Sequence, residues 1–124
     1  MHALIVDDSR AMRRILRQIV EPLGFEIVEA ANGAEALNRL AEHADTELAL
    51  VDWNMPEMNG IQFVESVRAE DQAHNLKLVM VTSETDTSKM ARAMMAGADE
   101  FLMKPFTPEM LIGKLELIGV SIPN

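Results

Sequence analysis

Five short apolar runs, each followed by a stretch of helical spacing, restrict what this chain can fold into more than any other feature. The middle run, Leu48-Ala49-Leu50-Val51, is too short for an independent helix, is bounded by polar sequence and reads as a strand buried on both faces. It stops at Asp52, and Trp53-Asn54-Met55-Pro56 begins a turn. Asp52 therefore stands where the strand leaves the sheet. In an open parallel sheet that edge is where ligands bind, because the connections diverge there and leave a crevice.

The other units repeat the pattern. His2 to Val6 is a strand candidate ending at Asp7-Asp8, after which Met12, Ile15, Leu16, Ile19, Val20 and Leu23 fall at helical spacing. Asp8 or Ser9 caps that helix, and Pro22 and Gly24 end it. Phe25 to Ala30 is a second strand. Asn32-Gly33 could be taken for a hairpin turn, but Ala36, Leu37, Leu40 and Ala41 repeat at helical spacing, so the connection runs from strand to helix. Ile61, Val64 and Val67 mark a third helix after Asn59-Gly60, and Leu76 to Val81 a fourth strand ending at Thr82-Ser83. A helix over 88–96 closed by Gly97, the brief strand Glu100 to Met103, and a last helix to about Ile118 complete the series. Thr107 caps the last helix and Pro108 takes its first position, where a missing N–H costs nothing.

Strict alternation implies an α/β fold, a doubly wound five-stranded parallel sheet with helices on both faces, because each crossover is right-handed and un-knotted. The 124 residues predict one domain over 1–124. With no cysteine, a disulfide framework and a thiolate metal site are both excluded. No segment has the apolar length of a membrane span and no signal peptide is visible, so a cytoplasmic protein without membrane contact is expected. The net charge of -9 argues against nucleic acid as a partner.

Four of the strands end in residues a core does not need: Asp7-Asp8, Asp52, Thr82 and Lys104. Three carboxylates gathered at one edge repel one another, and a divalent cation removes the conflict. Oxygen ligands without His or Cys favour Mg²⁺, whose remaining positions suit phosphate oxygens. Lys104 supplies a point charge for a phosphoryl group and the Thr82 hydroxyl a donor. Asp52, alone at the end of a central strand, is the candidate nucleophile for an aspartyl-phosphate.

Asp7-Asp8, Asp52, Thr82 and Lys104-Pro105 together resemble the response-regulator receiver domain over the whole chain, and the stretches Asp7 to Ile15, Asp52 to Pro56 and Lys104 to Thr107 resemble the stand-alone chemotaxis regulators of that family. The resemblance implies a flavodoxin-like sheet of order 2-1-3-4-5 with five helices. It implies that Asp52 takes a phosphoryl group from a histidine kinase (CheA-like), and that Asp8, Asp52 and the Asn54 carbonyl ligate Mg²⁺, with Asp7 acting through water or hydrogen bonds. Lys104 then bridges to the phosphoryl group, with a cis bond to Pro105, while Asn54 and Glu84 set how readily water attacks the acyl phosphate. Thr82 and Phe101 correspond to the switch pair: as Thr82 moves toward the phosphoryl oxygens, the ring of Phe101 turns inward. The output face is expected on the fourth helix, last strand and last helix, with Met90, Met94, Phe101, Met103 and Lys114. Such a receiver is a signalling protein, not an enzyme with a separate substrate. It is expected to be a monomer that meets a flagellar motor switch protein, a histidine phosphotransfer protein or a phosphatase.

Phe101 stands where chemotaxis members typically carry tyrosine, Asn59 replaces the usual acid before the glycine, and the last two helices hold few lysines, chiefly Lys89 and Lys114. Methionine serves adaptable binding surfaces and core gaps alike, so Met90, Met94, Met95 and Met103 fit either purpose. Arg10, Arg13, Arg14 and Arg17 share one face of the first helix, either a docking surface or a solvated stripe. His2, His43 and His74 are expected to be isolated surface residues, and Trp53, next to Asp52, a fluorescence reporter. An aspartyl-phosphate phosphatase is disfavoured by Asn54, where such enzymes carry a second Asp. A flavin site is disfavoured by Asp7-Asp8, which would repel the cofactor's phosphate.

Overall fold

A computed structural model describes the chain except for residues 54, 56–57, 70–74, 84–86, 121 and 124. Five parallel strands, β1 (His2–Val6), β2 (Glu26–Ala30), β3 (Thr46–Val51), β4 (Lys77–Thr82) and β5 (Glu100–Met103), lie in the order β2-β1-β3-β4-β5. Five helices connect or follow them: α1 (Arg10–Val20), α2 (Gly33–Glu42), α3 (Gly60–Arg68), α4 (Thr87–Ala96) and α5 (Pro108–Leu117).

The expected order and alternation are therefore present. The helix starts follow from side-chain caps: Ser9, Asn32 and Thr107 each accept a hydrogen bond from a backbone N–H three residues on. Asn59 does the same for α3 and closes a capping box, because Gln62 Oε1 accepts the Asn59 N–H at 3.0 Å. This gives the unusual Asn59 a structural reason. α1 leaves through a single 3₁₀ turn over Glu21–Leu23 and Gly24, whose φ of 106° lies in the left-handed region.

Several boundaries differ from the periodicity by one residue, β2 beginning at Glu26 and β4 running over Lys77–Thr82, and that of β3 by two. β3 begins at Thr46, two residues ahead of the apolar run, because His2 pairs with Thr46 while Ala3 pairs with Leu48. A register irregularity there lets the ladder continue over polar residues.

Alternate residues of each strand feed two separate cores. Leu4, Val6, Ala49, Val51, Leu78 and Met80 pack with Phe63, Val64 and Val67 of α3, Ala36 of α2 and Ala93 of α4. Ala3, Ile5, Leu50, Val79 and Val81 pack with Leu16 and Val20 of α1 and Leu111 and Leu115 of α5. A fully buried leucine such as Leu50 contributes about 1.5–3 kcal/mol by leaving water. Polar residues enter this apolar frame at the carboxyl ends of the strands: Asp7, Asp52 and Thr82 are buried.

Candidate functional site

The strand order decides which polar ends meet. β1 and β3 are neighbours, so Asp7 and Asp8 following β1 stand beside Asp52 following β3. One carboxylate oxygen from each of the three lies within 4.8 Å of the others. Asp7 and Asp52 are buried and Asp8 is exposed, so the cluster opens to solvent on one side. Lys104, from the far end of the sheet, closes another side. Its Nζ lies 3.2 Å from Asp7 Oδ2 and 3.6 Å from Asp52 Oδ1.

Both oxygens of Asp7 are engaged, since Oδ1 accepts the Ser9 N–H at 2.8 Å and Oδ2 faces Lys104. Burial raises the Asp52 carboxyl above the usual carboxylate range against the pull of Lys104; Asp7 and Asp8 add to the rise and the Trp53 N–H moderates it. A single lysine therefore leaves the three acids short of compensation. Oxygen donors, an open side and excess negative charge fit a hard divalent cation, with Asp8 and Asp52 the carboxylates best placed to reach it.

Thr82 is buried at the end of β4, and its carbonyl accepts the Lys104 N–H at 2.9 Å, which ties the two strand ends together. The bond between Lys104 and Pro105 is cis, as expected. Asn54 and Glu84 lie outside the described residues, as does His74. Trp53 is buried in the core beside Asp52.

Farther out, Phe101 is half-buried and Lys114 Nζ stands 5.5 Å from its ring centroid, while also lying 3.6 Å from Glu100 Oε2. Of the methionines expected on the output face, Met94 and Met95 are exposed and Met90 and Met103 half-buried.

Two sequence expectations change. The arginines of α1 do not form one free stripe: Arg13 and Arg17 turn to the two oxygens of Glu29 on β2, leaving Arg10 and Arg14 exposed. His2 and His43 are not isolated, because their rings meet in a tilted contact with centroids 4.5 Å apart and His2 lies between Asp45 and Glu26 at the amino edge of the sheet. Both pairings join residues far apart in sequence and close only when β1, β2 and β3 align. Gly60 was a further omission: its amide donates to the Trp53 carbonyl at 2.9 Å and a Cβ there would meet Asp52. The only sequence signal for it was its place after Asn59.

Residues 3–116 match the model of the response regulator receiver domain. The chain belongs to the response regulator receiver family. Among curated relatives, chemotaxis protein CheY1 of Helicobacter pylori strain J99 is 42% identical over 119 residues, covering 95% of this chain and 96% of that protein. The CheY homolog of Campylobacter jejuni strain 81-176 is 42% identical over 117 residues, 94% of this chain and 90% of the relative. Among solved structures, Vibrio cholerae chemotaxis protein CheY4 superposes with a TM-score of 0.87 at 34% identity, over 94% of this chain and 97% of that one. The protein is a CheY-like receiver of a two-component system. Receivers of this family hold Mg²⁺ in an acidic pocket, and the Asp7, Asp8 and Asp52 cluster has the donor set for it.

Proposed function

We propose that the chain acts over its whole length as a single receiver domain whose phosphoacceptor is Asp52. The observation that carries this reading is the approach of Lys104 Nζ to 3.6 Å from Asp52 Oδ1 beside two further carboxylates. In the transfer, an Asp52 carboxylate oxygen forms a bond to phosphorus while the bond between phosphorus and the kinase's histidine nitrogen breaks, and the imidazole leaves with the electron pair. Bound Mg²⁺ would neutralise charge on the phosphoryl oxygens. Asp8, Asp52 and the Asn54 carbonyl would hold it, with Asp7 acting through its hydrogen bonds. Lys104 then turns from Asp7 to a phosphoryl oxygen, and Thr82 donates to another.

Asn54 and Glu84 would govern attack by water, and Thr82 and Phe101 would transmit the change. The face carrying Met90, Met94, Phe101, Met103 and Lys114 would repack to meet a partner. Taking such an equilibrium from mostly off to mostly on needs about 5 kcal/mol of differential stabilisation, within reach of several charge-assisted bonds.

The names of the relatives support chemotaxis as the setting. In that setting a histidine kinase would act upstream, a flagellar motor switch protein downstream, and the cytoplasm would be the compartment. Among the described residues no helix is long and apolar enough to cross a membrane. The test is Mg²⁺-dependent labelling by acetyl phosphate: wild type should gain one phosphoryl group and Asp52→Asn none. Undiminished labelling of the variant, mapped elsewhere by mass spectrometry, would sink the assignment. A motor-switch N-terminal peptide should bind more tightly with Mg²⁺ and beryllofluoride. A normal Trp53 response without peptide binding points instead to a histidine phosphotransfer protein.

A further inference from the structure

Arg13 reaches the acidic corner from behind. Its Nη1 donates to the backbone carbonyl of Asp7 at 2.6 Å and its Nε to Glu29 Oε1 at 3.0 Å. Arg17 Nε takes the other oxygen, Glu29 Oε2, at 2.9 Å. Glu29, next to the end of β2, is thus gripped at both oxygens, and Arg13 is 15% exposed. A guanidinium is a rigid planar fork, so bracing one edge against a carboxylate aims the other. The carbonyl at which it aims belongs to the peptide joining Asp7 to Asp8. Fixing that plane fixes the direction in which Asp8 leaves β1. The Ser9 N–H, donating to Asp7 Oδ1, holds the same turn from its other side.

A positive charge this near a cation site opposes cation binding on charge alone. Orientation and charge therefore act with opposite signs, and experiment can separate them. We infer that Arg13 is a positioning residue of the metal site: braced by Glu29, it holds the Asp7–Asp8 peptide so that the carboxylates of Asp8 and Asp52 converge on one cation. The inference rests on the assignment of Mg²⁺ to the acidic cluster.

The test is Mg²⁺ titration followed by Trp53 fluorescence and by the amide NMR signals of Asp8 and Ser9, with melting temperatures recorded alongside. Arg13→Gln should weaken Mg²⁺ binding about tenfold, the lower end of the usual effect of residues that orient metal ligands. Arg13→Lys should not rescue it, because an ammonium restores the charge but not the fork. Glu29→Gln should weaken binding in the same direction by a smaller factor. Arg17→Gln loses two ion pairs but no bond to Asp7, and should stay within about twofold of wild type.

Binding by Arg13→Gln as tight as wild type or tighter overturns the inference, as does full rescue by lysine or an equal loss in Arg17→Gln. If the Arg13 variants do not fold, Glu29→Gln set against Arg17→Gln decides, and equal Mg²⁺ affinity in that pair overturns it. A wild-type protein with no Mg²⁺ response at Trp53 or Asp8 overturns the metal assignment as well. That outcome is distinct from a wild type that binds while its Arg13 variants do so equally.

Discussion

Lys104 Nζ lies 3.6 Å from Asp52 Oδ1, an approach made across the intervening strand β4 from the end of β5. The same amine reaches Asp7, 97 residues earlier in the chain. One cation thus serves two buried carboxylates.

Replacing it separates two effects. Lys104→Met removes an internal competitor, so Mg²⁺ should bind several-fold more tightly. It also removes a donor to the phosphoryl group, whose charge-assisted bond is worth about 1.5–3 kcal/mol, so labelling by acetyl phosphate should slow by about tenfold or more. Fluorescence titration and a labelling time course read the two separately.

Without metal, Asp52 makes stability depend on pH in a defined direction. Its carboxyl is raised by burial, so over a range of pH the folded protein keeps a proton that the unfolded chain has lost. The folded state is favoured below the ordinary carboxylate range, and that advantage falls away as pH rises through the raised value. In EDTA, urea unfolding of wild type should therefore lose stability relative to Asp52→Asn over that window. Saturating Mg²⁺ should restore the wild type and leave the variant nearly unmoved.

Gly60 is held by space. A Cβ on it would lie 2.5 Å from Met80 Cε and 2.9 Å from the backbone oxygen of Asp52. The methionine can shift, but the strand end cannot do so without moving the site. Gly60→Ala should lose about 1–3 kcal/mol in denaturant unfolding and slow Asp52 labelling. An alanine variant with unchanged labelling would show that the strand end tolerates the push.

Phe101 packs against the apolar core and also lies under a charge. Lys114 over its ring contributes about 0.5–1 kcal/mol to the half-buried position. Lys114→Gln should raise the population of the inward ring about twofold to fivefold before any phosphorylation. Aromatic NMR signals of Phe101, recorded with and without beryllofluoride, measure that shift.

Much of this molecule was legible in the chain. The strand ends at Asp7, Asp52, Thr82 and Lys104 were readable because each apolar run stops abruptly. The cap at Thr107, and the one at Asp8 or Ser9 that the structure gives to Ser9, were readable because a helix start needs a local acceptor within three residues, whereas Asn32 was weighed only as a turn residue and its cap emerged in the structure. Asn59 was readable only as a departure from a pattern, although its capping box with Gln62 is just as local.

What escaped was long-range. Every central strand is apolar on both faces, so periodicity cannot say which strands are neighbours; the order came from resemblance until the pairings of β1 with β2 and β3, of β3 with β4 and of β4 with β5 established it. Arg13 and Arg17 looked like a free stripe because Glu29 stands 16 and 12 residues away and comes within reach only through the packing of α1 over β2. His2 and His43 looked separate for the same reason. Local patterns of apolar and polar residues determined the elements, their ends and the kinds of side chain presented there. The tertiary structure alone decided which of those side chains meet, because distance between charges is set by strand order and register.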